Sequence, residues 1–263
     1  MKFELRDQSP VTVETPCLVV GVLEDAPLTG PAAEIDEASQ GRLSALIESG
    51  DIDPDRNETA LLHGLPGVTA ERILVVGGGM ADRFDRVRYL NMCQAAGKFL
   101  RQSAVREAHV CLAELPVEEF DAAWRLRQAA CAIDHGNYRY VTTKPLKAHD
   151  PKPLDQASFQ GGDDLQAALD QATALSAGTR RARELGNLPP NICTPIYLAE
   201  QCTELAESIN HCTVDVLDPE QMAELGMEAL LSVGQGSANP PRLIILKYQG
   251  AGDDDRPYVM VGK

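Results

Sequence analysis

Few residues in this chain have the types and spacing that chemistry requires. Gly77-Gly78-Gly79 follows the apolar run Ile73-Leu74-Val75-Val76, and a glycine turn after a strand can bring backbone N–H groups against a phosphate. The run is not GxGxxG, it lacks the Gly-Lys-Ser/Thr of a P-loop, and no acidic residue follows at the expected strand end. A tight strand-to-helix turn is the plainer expectation. The histidines His63, His109, His135, His149 and His211 form neither HxxxH nor HxH, and none stands at zinc spacing from a cysteine. His63 and His109 sit in strand-like runs and read as ordinary sheet residues. No GxSxG occurs. Cys193, beside Thr194-Pro195, would be a nucleophile only with a positioned histidine or another cause of a low pKa, so a structural thiol is the better reading. Val233-Gly234-Gln235-Gly236-Ser237 reads as a flexible glycine loop, and Lys263 taken alone is a solvated terminal lysine.

Composition narrows the classes. At 263 residues with 44% hydrophobic residues the chain can bury a real core. The formal net charge is −15, and Arg180-Arg181-Ala182-Arg183 is the densest basic cluster. That balance repels phosphate backbones and disfavours nucleic acid as a partner. The seven cysteines are an odd number without CxxC, which fits reduced, buried thiols in a cytoplasmic protein. The start, Met1 to Asp7, has no apolar signal region. No apolar run approaches the roughly 18 residues of a membrane span. Asn57-Glu58-Thr59 matches the glycosylation pattern by chance in such a protein.

Elements must position these residues. Apolar runs predict strands at Cys17–Leu23, Ala60–Leu65, Ile73–Val76 and His109–Leu115. Helical periodicity predicts helices over Ile35–Glu48, Asp85–Arg101 and Val117–Ile133. Their alternation indicates an α/β layer fold with a largely parallel or mixed sheet. Val141–Gly162 dissolves into Pro, Lys, Asp, Gly and Gln, which reads as a domain edge. A long helix follows over Asp163–Leu185, with Gly186 as its left-handed C-cap and Pro189-Pro190 stopping any continuation. Thr194 as N-cap and Pro195 as first helical residue start a helix to about Ser208. Strands near Thr213–Leu217 and Leu243–Tyr248 and a short helix over Pro219–Leu225 complete a second α/β part. A last strand, Tyr258–Val261, is expected to pair with Leu243–Tyr248 as a hairpin around Asp253-Asp254-Asp255. A buried strand at the very end suggests the front part of a larger enzyme.

Glu184-Leu185-Gly186-Asn187-Leu188-Pro189-Pro190-Asn191, followed by Thr194-Pro195-x-x-Leu198-Ala199, closely resembles the leucine (cytosol) aminopeptidases, which are di-metal exopeptidases. Leu225-Gly226-Met227, Val233 to Ser237, Leu243 to Tyr248 and Val259-Met260-Val261-Gly262-Lys263 recur in that family in the same order. The opening is similar to its bacterial branch at Ser44 to Ile47, Glu71 to Gly77 and Trp124-x-x-Arg127-Gln128.

The resemblance implies three parts. Residues 1–160 correspond to a macro-like N-terminal domain with a mixed sheet between helices. Residues 161–186 correspond to a linker helix, and residues 187–263 to the beginning of the catalytic peptidase domain. It implies homohexamers, peptide substrates, and two divalent metal ions, Mn2+ or Zn2+. Lys263 falls on the family's Val-Gly-Lys-Gly motif, whose lysine is a metal ligand, and an amine ligates only when a nearby cation and burial lower its pKa. The family's other ligands and catalytic groups lie beyond this point, so the expectation is an N-terminal fragment that is inactive and binds no metal alone. Two non-enzymatic readings stand beside it: a macro-like module that binds a nucleotide, with Gly77 to Gly79 near the phosphates, and a DNA-binding accessory module. Apolar surface left exposed at Tyr258 to Val261 is expected to make such a fragment associate.

Overall fold

Short apolar runs that are too continuous to face water on either side become the central strands of a six-stranded sheet. The computed structural model describes residues 1–147, 150–252 and 255–262. By contacts along the chain it divides into two units, residues 1–183 and 184–263.

The first unit holds β1 (Lys2–Arg6), β2 (Leu18–Glu24), β3 (Thr59–His63), β4 (Arg72–Met80), β5 (Glu107–Val110) and β6 (Gln156–Gln160), arranged β1-β6-β5-β2-β4-β3. All neighbouring pairs are parallel except β3 with β4. The sheet is therefore mixed, as the alternation of elements implied. Side chains alternate across it. Leu18, Val20, Val22, Ile73 and Val75 join Ile35 and Leu43 of α1 (Gly30–Ala38) and α2 (Arg42–Glu48) on one face. Val19, Leu74 and Val76 join the opposite core, built from α3 (Arg86–Gln102), α4 (Ala122–Asn137) and the start of α5 (Gln166–Asn187). Aspartates set the helix starts: Asp85 accepts from the N–H groups of Val87 and Arg88, and Asp121 from that of Trp124.

Several elements differ from the sequence expectation. The single helix over Ile35–Glu48 is two, because Gln40 and Gly41 take left-handed backbone, with φ of 59° and 80°. The Asp36 carboxylate bridges the break by accepting from the Ser44 N–H and hydroxyl at 2.8 and 2.6 Å. The strand expected over His109–Leu115 stops at Val110, and Leu112–Glu114 turns as 3-10 helix. The helix expected from Val117 starts at Ala122, where Asp121 caps it. Asp163–Leu165 is 3-10 helix before α5, which runs on through Gly186 to Asn187. Gly186 is thus helical rather than a C-cap, and the helix ends where Pro189 disfavours helical backbone at Leu188.

β1 and β6 lack the continuous apolar runs that mark strands in the sequence, and β6 lies within the Val141–Gly162 stretch expected to be a domain edge. Both alternate polar with apolar residues. In β6, Ala157 and Phe159 are fully buried while Ser158 and Gln160 turn to the other face. There His109 bonds to both, with Nδ1 2.9 Å from Ser158 Oγ and Nε2 3.1 Å from Gln160 Oε1.

Gly77, Gly78 and Gly79 do not form a turn. They extend β4, because residues 53–58 cross it at backbone contact. Asn57 N–H donates to Gly77 O and Gly77 N–H to Glu58 O, both at 2.9 Å, while Gly79 N–H donates to Pro54 O at 3.0 Å. A Cβ on Gly77 would lie 2.0 Å from Asp55 O.

The second unit continues with α6 (Pro195–Ser208), whose Thr194 cap accepts from the Tyr197 N–H. β7 (Cys212–Leu217), α7 (Pro219–Glu224), α8 (Glu228–Gly234) and β8 (Leu243–Tyr248) follow. Asp218 and Gln221 form a capping box on α7. Val233 and Gly234, expected in a loop, close α8. β8 pairs antiparallel with β7 along its whole length, from Cys212↔Tyr248 to Leu217↔Leu243. The expected last strand is absent: residues 258–262 have no regular structure and are exposed. Asp253 and Asp254 of the expected hairpin turn lie outside the described residues. Among the described residues no helix is long and apolar enough to cross a membrane.

Two expected outcomes follow from this packing. Gly77→Ala forces a methyl against backbone that cannot rotate away and should cost about 2–4 kcal/mol. Gly178→Ala in α5, where nothing lies within 4 Å, should gain about 0.5–1 kcal/mol. Urea denaturation of both variants checks the contrast, and equal stabilities would contradict it. Burial pushes the His109 pKa below its ordinary 6.5, the Gln160 hydrogen bond opposing and Arg6 reinforcing the shift. The unfolded chain therefore takes up a proton at His109 before the folded one does. The stability tied to neutral His109 is complete above about pH 6.5 and falls as pH drops below it. Urea midpoints measured between about pH 7 and pH 5 should decline less steeply for His109→Gln.

Candidate functional site

The chain leaves β2 for α1 on one face of the sheet and leaves β4 for α3 on the opposite face. Adjacent strands whose connections diverge leave a crevice outside their carboxyl ends. It measures about 1050 Å³ and is lined by residues 26–29 after β2, 81–86 and Arg88 after β4, and 115–120 before α4. Arg83 and Arg86 line it, and neither forms an ion pair among the described residues. Asp82, Glu118 and Glu119 share the same walls and balance that charge. The amides at the start of α3 are already held by Asp85. The crevice has room for a small polar molecule, with no cysteine or histidine on its walls and no surplus of cations for a phosphate.

The glycine run has no phosphate seat either, since the amides of Gly77 and Gly79 donate to the crossing loop. The buried thiols are inert: burial pushes Cys17 and Cys93 up to about 12 and Cys111 further still. Cys193 N–H closes the turn before α6 by donating to Pro189 O at 3.0 Å. His63 is an exposed residue of β3. His135, at the end of α4, receives Arg183 from α5: Arg183 Nη1 donates to the His135 carbonyl at 3.2 Å, and its guanidinium lies 3.8 Å over the Tyr138 ring. Beside it Arg180 pairs with the buried carboxylate of Asp134. These contacts fasten α5 to α4.

Lys263 lies outside the described residues. The stretch before it is open, with Tyr258 98% and Met260 96% exposed. Among the described residues no group of three or more His, Cys, Asp or Glu could hold a metal ion. Those residues do not by themselves fit a two-metal centre. The crevice was not visible in the sequence, because its walls come from three loops of ordinary composition. The one available signal was the apolar run of β2 giving way to Ala26-Pro27-Leu28-Thr29-Gly30.

Comparison with known proteins gives this architecture its relatives. The sequence model for the N-terminal domain of the cytosol aminopeptidase family matches residues 19–146, and that for the family's catalytic domain matches residues 180–263. A probable cytosol aminopeptidase of Xanthomonas axonopodis pv. citri is 46% identical over 263 residues, covering 100% of this chain and 53% of its own length. One from Stenotrophomonas maltophilia matches at the same identity and coverage. A mutant of tomato leucine aminopeptidase has the same fold with a TM-score of 0.77 and 25% identity, over 94% of this chain and 50% of its own. The bottromycin maturation enzyme BotP, solved in complex with Mn, superimposes with a TM-score of 0.71 at 23% identity, over 89% of this chain and 45% of its own. The chain spans about half the length of the curated relatives it matches. With both of the family's domain models matched in order along one chain, this protein belongs to the cytosol aminopeptidase family.

Proposed function

We propose that this sequence supplies the N-terminal part of a cytoplasmic leucyl aminopeptidase that releases N-terminal amino acids from peptides with two divalent metal ions, Mn2+ or Zn2+. In this reading residues 1–160 are the N-terminal domain, 161–186 the linker helix and 187–263 the beginning of the catalytic domain. Lys263 is one metal ligand, and the complete enzyme is a homohexamer. The observation that carries the proposal is the catalytic-domain match over residues 180–263, which takes in the stretch ending in Val261-Gly262-Lys263. Manganese in the related BotP structure supports the choice of metal. Because the described residues provide no ligand cluster, no hydrolytic step is assigned to them, and the 263 residues alone are inactive in this reading. The alternative of a nucleotide-binding or DNA-binding accessory module is weaker. Its phosphate seat at Gly77 to Gly79 is filled by protein, and the net charge of −15 opposes DNA.

The test joins residues 1–263 to the remaining half of the Xanthomonas relative. The joined chain should cleave leucine p-nitroanilide once Mn2+ is supplied, and residues 1–263 alone should not. Lys263→Ala in the joined chain should lower kcat/KM by about a hundredfold or more. Hydrolysis by the 263 residues alone, or a joined enzyme indifferent to Lys263→Ala, would overturn the assignment.

A further inference from the structure

β3 closes the sheet on one side. It pairs with β4, and nothing among the described residues pairs with its other edge. Leu61 packs into the core on the α3 side, while Ala60 and Leu62 pack into the opposite one. The alternation puts Thr59 on the α3 side with Leu61. A groove of about 540 Å³ lies there between β3 and α3. Its walls carry the cations Arg56 and Lys98 and the carboxamides of Asn57, Asn91, Gln94 and Gln102, and no carboxylate. In a chain with 39 acidic and 24 basic residues this is a local reversal of charge. Neither Arg56 nor Lys98 forms an ion pair among the described residues. Asn57 Oδ1 is buried without a hydrogen-bond partner, an acceptor that lacks its donor.

We propose that the free edge of β3 and the polar face of α3 dock an extended acidic peptide segment. The segment adds to β3 as a further strand and turns its carboxylates toward Arg56 and Lys98. An unpaired edge supplies main-chain donors and acceptors for such an addition. Carboxamides donate and accept at once, which suits peptide groups and polar side chains. The overall charge of −15 slows the approach of an acidic partner. Beyond a Debye length of about 8 Å at physiological salt that field is screened, and the cations at the groove decide the contact. This docking is independent of the peptidase assignment, since it uses only the first unit.

The experiment uses the whole 263-residue chain and three short fluorescent peptides: alternating Glu-Val, alternating Lys-Val, and alternating Glu-Pro. Anisotropy is read at about 0.15 M salt, and amide hydrogen exchange is followed over residues 59–63. The Glu-Val peptide should bind and slow exchange in β3. The Lys-Val and Glu-Pro peptides should bind at least about tenfold more weakly, because one reverses the charge and the other removes the strand's N–H donors. Arg56→Glu/Lys98→Glu should weaken Glu-Val binding about tenfold or more. Arg56→Gln/Lys98→Gln should weaken it less and serves if the charge-reversed protein does not fold. Equal binding of the Glu-Val and Lys-Val peptides, unchanged binding to both double variants, or absence of β3 protection overturns the proposal. It is equally overturned if polyphosphate protects β3 and the peptide does not, or if β3 protection rises with protein concentration alone, which would assign the edge to a second copy.

Discussion

A strand buried on both faces must be covered on both, and β2 and β4 impose that requirement on everything around them. Their side chains alternate between two cores with almost no exposure. Parallel neighbours also need a crossover between them, because no tight turn reverses the chain without reversing the strand. The chain meets both demands by sending α1 and α2 over one face and α3 and α4 over the other. The crevice at the strand ends is a consequence of that divergence. So is the close crossing at Gly77, where the segment returning from α2 to β3 must pass within backbone distance of β4.

The sequence shows this arrangement where a residue's local job and its global place agree. Leu18 to Leu23 reads as a strand because both faces are apolar, and Asp85 and Thr194-Pro195 mark helix starts because capping is local chemistry. β1 and β6 escape for the opposite reason. Their polar positions are explained by partners remote in sequence, as Ser158 and Gln160 are by His109, 49 and 51 residues away. The Gln40-Gly41 break hides similarly, since helical periodicity continues on either side of two left-handed residues that Asp36 ties together. Gly77 to Gly79 invites the wrong inference because glycine signals close approach without saying what approaches. Here it is the chain's own backbone.

The proposed chemistry was legible only through resemblance. No spacing of His, Cys, Asp or Glu in the sequence calls for a metal, and among the described residues the fold gathers no such cluster. The role proposed for Lys263 comes only from the family motif that the sequence resembles there. The physical reason is general: metal sites are assembled from residues far apart in sequence, so a local window of spacing seldom reveals them.

The two units also differ in how completely their apolar residues are covered. In the first, Leu18, Leu74, Met92, Leu100 and Leu126 are fully enclosed. In the second, Met222 alone among the described residues reaches that state, while Leu225, Val233 and Tyr248 are 60% or more exposed. A two-stranded ribbon such as β7–β8 is marginal without further strands or a helix against it, and α6 and α7 are the elements that pack on β7. The first unit therefore has the core to fold cooperatively by itself, whereas the second depends on apolar surface that its own residues do not cover. Unfolding of the whole chain should accordingly not be treated as a single two-state transition, and the Gly77 and His109 effects belong to the first unit's transition.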